Sequence, residues 1–177
     1  MYLKIAIFDF DSTLINTPRE TQDNKDKWFD YYGKEWPYIG WWGRPESLDT
    51  DVFENEPNPK IVSLLEGFNS EENTLTVLLT GRRQKEKIID SVKKILNQHN
   101  IKLDEYLFNY GGETSDNKVE QINNLLDEYP MVNEVVFYDD RTEHISKFVN
   151  FGEELVNNGK IKQFNMYHVV DGEPKIK

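Results

Sequence analysis

No cysteine occurs in the 177 residues, which rules out disulfides, thiolate metal sites and cysteine nucleophiles together. That absence is compatible with a reducing compartment. No apolar run approaches the roughly 20 residues that a membrane-spanning helix requires. The chain opens on a strand that ends in acids, not on a basic segment followed by a signal-type apolar run. Positive charge is scarce as well: 21 Lys and Arg against 32 Asp and Glu leave a formal net charge of −11. Such a surface opposes non-specific adhesion to nucleic acid or anionic membranes. It leaves room for recognition of a single phosphate or strand end, because Arg82, Arg83 and Arg141 can gather positive charge locally. The expectation is a soluble, intracellular (cytoplasmic) protein with no membrane partner.

What is present suffices for a core. Hydrophobic residues make up 37% of the chain and aromatics 13%, within the range of folded domains. The length suits one domain over residues 1–177 with a small insertion. Apolar strand-like runs at Leu3 to Phe8, Thr74 to Leu79, Tyr106 to Tyr110, Glu134 to Tyr138 and Gln163 to Val170 alternate with helical patterns. Ile61, Leu64, Leu65 and Phe68 share one helical face; Ile88, Ile89, Val92, Ile95 and Leu96 share another. Val119, Ile122, Leu125 and Leu126 form a third, with Ser115 or Asp116 as the expected N-cap, and the last stripe runs from Ile145 to Val156. Alternation of this kind predicts a doubly wound α/β fold around a mainly parallel sheet of about five strands. Residues 16–56 break the rhythm: they hold all four tryptophans (Trp28, Trp36, Trp41, Trp42) and read as a cap-like aromatic insertion. Gly172 to Lys177 is expected to fray.

Chemistry gathers where these strands end. Asp9 and Asp11 follow the first apolar run, and nothing about packing calls for two carboxylates there. Like charges at that spacing repel, and burial penalises both, so a cation or a proton must accompany them. Open α/β sheets bind ligands at this rim. The second run leads into Thr80-Gly81-Arg82-Arg83, read as a turn into a helix whose free amides suit an anion. The fourth ends in a second acidic pair, Asp139-Asp140, followed by Arg141. Lys118 falls near a helix start, where a lysine opposes the dipole and so suits a ligand; Lys102 is the competing lysine. With strands one, two and four adjacent, Asp9, Asp11, Thr80, Lys118, Asp139 and Asp140 share one rim. Hard oxygen donors without histidine or cysteine suit Mg²⁺.

Each residue also has a plainer reading. The acids can cap turns, Arg82 can be a solvated helix residue, and Arg141 and His144 can form a salt bridge and a packed imidazole instead of a phosphate clamp. Tryptophans are more often core than ligand platforms. Trp41 and Trp42 are neighbours, however, and do not easily share one buried face, so one of them is a candidate to line the site and stack on a base.

Taken in order, Asp9-Phe10-Asp11-Ser12-Thr13, Thr80, Lys118 and Asp139-Asp140 resemble the four motifs of the haloacid dehalogenase superfamily of phosphohydrolases. That resemblance implies Asp9 as the nucleophile that forms an aspartyl-phosphate and Asp11 as acid and then base, its backbone carbonyl ligating Mg²⁺. It implies Thr80 and Lys118 as residues that orient phosphate and nucleophile, and Asp139 with Asp140 as metal ligands beside Asp9. Ser12 stands where the superfamily often has glycine, so it must make the same turn with a Cβ present. Three segments are similar to the branch found in Swiss Army knife RNA-repair proteins and, more distantly, to polynucleotide 3′-phosphatases. These are Leu78-Leu79-Thr80-Gly81-Arg82, Tyr138 through His144, and Gly40-Trp41-Trp42 with Pro45. The expected activity is an Mg²⁺-dependent phosphatase acting on an RNA or DNA 3′-end or a nucleotide, alongside RNA-repair partner proteins. Gly81, Arg82, Arg141 and Trp42 are expected to bind that substrate. The alternatives are a small-metabolite or sugar phosphatase, and a non-catalytic module that binds phosphorylated ends or a protein.

Overall fold

Ile5, Ala6, Ile7 and Phe8 are all wholly buried, so strand β1 (Lys4–Phe8) needs cover on both faces. The computed structural model, which describes Met1–Lys177, supplies it by placing β1 mid-sheet. The further strands are β2 (Ile15–Asn16), β3 (Glu56–Pro57), β4 (Thr74–Arg83), β5 (Glu105–Asn109), β6 (Glu134–Asp139), β7 (Gln163–Val170) and β8 (Glu173–Ile176). Helices are α1 (Gln22–Tyr32), α2 (Pro59–Asn69), α3 (Glu86–Gln98), α4 (Thr114–Glu128) and α5 (Thr142–Asn157). The six-stranded sheet has the order β5-β4-β1-β6-β7-β8 and is parallel except at β8. It is a doubly wound, Rossmann-like α/β fold.

Strand alternation divides the core between the two faces. Phe8, Leu78 and Tyr138 pack on one side with Ile61 and Leu65 of α2 and with Ile88, Val92 and Ile95 of α3. Ile7, Val77 and Phe137 face the other side, against Ile122 and Leu125 of α4 and Phe148 of α5. The helical stripes therefore bury as their periodicity predicts.

Three local expectations need correction. The second strand does not turn into a helix at Gly81: β4 runs on to Arg83, and α3 begins at Glu86. The pairing with β5 is irregular between Thr80 and Arg83, and extended alternation sends Arg82 inward while Arg83 reaches Asn109 Oδ1 at 3.0 Å. The cap of α4 is Glu113, not Ser115 or Asp116; its carboxylate accepts the amides of Ser115 (2.8 Å) and Asp116 (3.1 Å). The chain end does not fray but forms β8, folding back on β7 through Asp171-Gly172, both with positive φ (51° and 79°). That turn suits the right-handed twist of a two-residue hairpin.

Between β1 and α2 the chain leaves the sheet. β2 and β3 pair antiparallel at its base, and Trp28, Trp41 and Phe53 form a separate small core, with Trp36 and Tyr38 packed against it. A single 3-10 turn, Pro45–Leu48, sets Leu48 back into the main core.

Candidate active site

Register builds the centre of the site. β1 and β6 are parallel with Phe8 opposite Tyr138, so the next residues, Asp9 and Asp139, fall side by side at the sheet's carboxyl edge. The Asp9 amide donates to the Tyr138 carbonyl at 2.9 Å and extends the ladder to that point. Alternation turns both carboxylates away from the Phe8–Tyr138 face and toward α4. From one turn inside α4, Lys118 sends its Nζ to Asp9 Oδ1 at 2.7 Å and Asp139 Oδ2 at 2.6 Å. All three side chains are nearly inaccessible to water. Lys118, not Lys102, is the lysine that reaches the acids.

The charge does not balance. Carboxylate oxygens of Asp9, Asp139 and Asp140 lie within 4.8 Å of one another, and Lys118 is the single ammonium among them. Burial, together with Asp139 and Asp140, pushes the Asp9 carboxyl well above its usual range despite Lys118. Asp140 is pushed up to about 6, first by burial and then by Asp139. Charge attraction to Asp139 and Asp9 outweighs the burial of Lys118 and raises it above the ordinary lysine value.

Asp11 occupies a second, separate pairing. The Arg82 guanidinium holds it through Nε (3.1 Å to Oδ1, 2.9 Å to Oδ2) and Nη2 (2.8 Å to Oδ1), and Thr17 Oγ1 donates to Oδ1 at 2.6 Å. The Asp11 carboxylate is thus committed to Arg82 and Thr17 and is not one of the three clustered acids, though it lines the same cavity. Ser12 makes the connecting turn at φ 57°, in the left-handed region, with its amide donating to the Ile15 carbonyl at 2.7 Å.

The other expected residues divide into those that reach the cavity and those that do not. A cavity of about 1020 Å³ opens over Asp9, Asp11, Lys118 and Asp140, and its wall includes Gly81, Arg82, Arg141 and Trp42. Trp41 is buried, its indole N–H given to the Pro18 carbonyl at 2.7 Å, whereas Trp42 is 43% exposed with its ring over the Arg82 guanidinium. Thr80 is fully buried behind this wall and accepts the Arg82 amide at 3.2 Å. Gly81 lies so close to Thr114 that a Cβ would meet its Cγ2 at 2.6 Å. Most of the Arg82 donors are committed within the protein, so it is a clamp and not a solvated helix residue. Arg141 is exposed and paired with Glu143 at 2.9 Å, at the cavity rim. His144 packs against Phe148 near Glu113, and burial, helped by Arg141, pushes its imidazole below the usual value.

Several cavity residues were not among those expected from the sequence. Arg19, Thr17 and Asn58 join the wall from the strand-poor stretch and its end, and the β7–β8 hairpin closes the far side through Asp171 to Glu173. The hairpin is pinned there by Asn58 Nδ2 to the Gly172 carbonyl (3.2 Å) and by a Lys60–Glu173 ion pair.

Residues 33–177 match the family described as HAD domain family 1 in Swiss Army Knife RNA repair proteins. The chain belongs to it. The matched span holds Thr80, Lys118, Asp139 and Asp140, while Asp9 and Asp11 lie before it and join the family's residues through the sheet register just described. An uncharacterised protein of Saccharomyces cerevisiae is 28% identical over 172 residues, covering 86% of this chain and 37% of that protein. The solved Pnkp1/Rnl/Hen1 RNA repair complex contains a chain similar in fold (TM-score 0.56, 16% identity), covering 96% of this chain and 44% of its own length. An archaeal β-phosphoglucomutase from Pyrococcus sp. strain ST 04 shares the fold at TM-score 0.50 and 15% identity, covering 84% of this chain and 83% of the enzyme. The chain therefore spans less than half the length of the yeast and RNA-repair proteins it matches, and what it shares with the two solved structures is the fold. No helix is long and apolar enough to cross a membrane.

Proposed function

We propose that the chain hydrolyses phosphate monoesters through an aspartyl-phosphate on Asp9, with Mg²⁺ as cofactor. The observation that carries this reading is the uncompensated trio Asp9, Asp139 and Asp140, with oxygens within 4.8 Å of one another below an open cavity. Only Lys118 opposes it, and the donor set is hard oxygen throughout, which fits a divalent cation. Mg²⁺ would be held by Asp9, Asp139 and Asp140, with the Asp11 carbonyl as the family resemblance implies, and would neutralise charge on the acids and the phosphate.

The chain's own residues supply the rest. A carboxylate oxygen of Asp9 forms a bond to phosphorus as the ester P–O bond breaks, and the leaving oxygen takes a proton from the Asp11 carboxyl. Water then gives one of its own protons to Asp11 as its oxygen attacks phosphorus, and the bond to Asp9 breaks to release inorganic phosphate. Lys118 fixes Asp9 for in-line attack and offsets its charge. Thr80 holds the backbone of the Gly81–Arg82 segment, and Arg141 at the rim meets the substrate's charge.

The substrate we infer is a phosphate at a nucleic-acid end or on a nucleotide. The family's description, the exposed Trp42 ring and the arginines Arg19 and Arg141 at the cavity support that choice. RNA-repair partner proteins are the corresponding setting. The net charge of −11 favours a second reading, a small-metabolite or sugar phosphatase, which needs no long basic footprint.

The test is phosphate release with and without Mg²⁺ from p-nitrophenyl phosphate, an oligonucleotide 3′-phosphate, nucleoside monophosphates and sugar phosphates, beside the Asp9→Asn variant. Mg²⁺-dependent turnover that Asp9→Asn abolishes is expected, fastest on the oligonucleotide. Preference for sugar phosphates selects the second reading, and no turnover on any ester overturns both.

A further inference from the structure

We propose that Ser47 is a positioning residue for Asp11, acting through Arg82. This rests on the reading of Asp11 as acid and base given above. Arg82 is a bridge with two ends. One end, Nε and Nη2, grips Asp11; the other, Nη1, donates to the Trp42 carbonyl and to Ser47 Oγ, both at 3.1 Å. Ser47 is wholly buried and gives its own proton to the Arg44 carbonyl at 2.8 Å, so its lone pairs face Arg82. Its backbone does not drift, because the 3-10 turn that carries it starts at Pro45 and anchors Leu48 in the main core.

The geometry has a consequence for the proton. Oδ1 of Asp11 accepts from Arg82 Nε, Arg82 Nη2 and Thr17, whereas Oδ2 accepts only from Nε at 2.9 Å. Oδ2, with one donor against three on Oδ1, is therefore the less committed oxygen to offer toward the leaving group, and its aim is set by the plane of the guanidinium. Losing the Ser47 acceptor leaves a buried Arg82 N–H unpaired, and the plane then turns to find another partner. The aromatic stretch between β2 and β3 would thus govern the acid directly, not merely cover the cavity.

The experiment compares kcat/KM of the full chain on two kinds of ester. p-Nitrophenolate leaves without a proton; the alkyl leaving groups of nucleotides, oligonucleotide ends and sugars do not. Ser47→Ala is expected to lose about tenfold or more in kcat/KM on the best alkyl ester and under about threefold on p-nitrophenyl phosphate. A burst of p-nitrophenolate, from slowed hydrolysis of the aspartyl-phosphate, should accompany it. Ser47→Thr, which keeps the hydroxyl, should recover most of the alkyl-ester rate. Should Ser47→Ala fail to fold, Arg82→Lys, which keeps the charge and loses the fork, must give the same selective loss. Equal losses on both esters, or none, overturn the proposal, as does a wild type that turns over only the aryl ester. A wild type inactive on every ester sinks the functional reading instead.

Discussion

Lys118 lies 2.6 Å from Asp139 and 2.7 Å from Asp9, so one buried ammonium ties the end of β6 to the end of β1. A pair of this kind is costly to break, because the surviving charges stay out of water without a partner. Lys118→Met should destabilise the metal-free protein by about 3–5 kcal/mol in urea unfolding. Added Mg²⁺ should recover part of that loss, since it compensates the same acids, yet phosphatase activity should stay absent.

Asp140 gives a pH prediction with a definite sign. Its carboxyl is raised to about 6 in the fold, so the folded state binds the proton more tightly than the unfolded chain. Stability is fully present below the unfolded value and falls as pH rises through about 6. Asp140→Asn should therefore match the wild type near pH 4 and exceed it above pH 7, by on the order of 2 kcal/mol in EDTA. Thermal melts across that range check it. Mg²⁺ should reverse the order above pH 7, because it binds the ionised form.

Gly81 has no room for a side chain. A Cβ would stand 2.6 Å from Thr114 Cγ2, so Gly81→Ala should cost about 1–3 kcal/mol in urea unfolding. Adding Thr114→Ser removes the opposing methyl and should return most of that loss. An additive double mutant would mean the cost arises elsewhere.

Trp42 separates the two substrate readings. Its ring is 43% exposed in the cavity wall and covers Arg82. If it stacks a base, Trp42→Ala should raise KM for the oligonucleotide 3′-phosphate by about tenfold, the worth of one stacked base, with little change for p-nitrophenyl phosphate. Unchanged KM for both esters would confine the ring to covering Arg82.

The existence of the parallel strands and the acids at the ends of β1 and β6 were legible because both follow from short-range pattern. A continuous apolar run must be a covered strand, and Asp9 and Asp139 each come directly after one. The helical stripes were equally plain. What escaped was set by contacts distant in sequence. The extension of β4 depends on pairing Arg83 with Asn109, and the commitment of Arg82 depends on Trp42 and Ser47, about 40 residues away in a stretch without periodicity. Asp171-Gly172 is different: an Asp-Gly pair beside an apolar run is a hairpin signal, and it should have placed β8 where the tail was expected to fray. Glu113 as the cap of α4 was hidden by Ser115 and Asp116, whose amides it receives.

The two-residue ribbon of β2 and β3 brings Ile15 beside Pro57, so the stretch 17–55 departs and returns at a single doorway. That ribbon is a sheet of its own, separate from the six strands of the main one. Whatever stands in that stretch must still send a hydroxyl to Asp11 as Thr17 does, a side chain into the main core as Leu48 does, and two oxygen acceptors to a waiting guanidinium, or the acid beside it loses its aim.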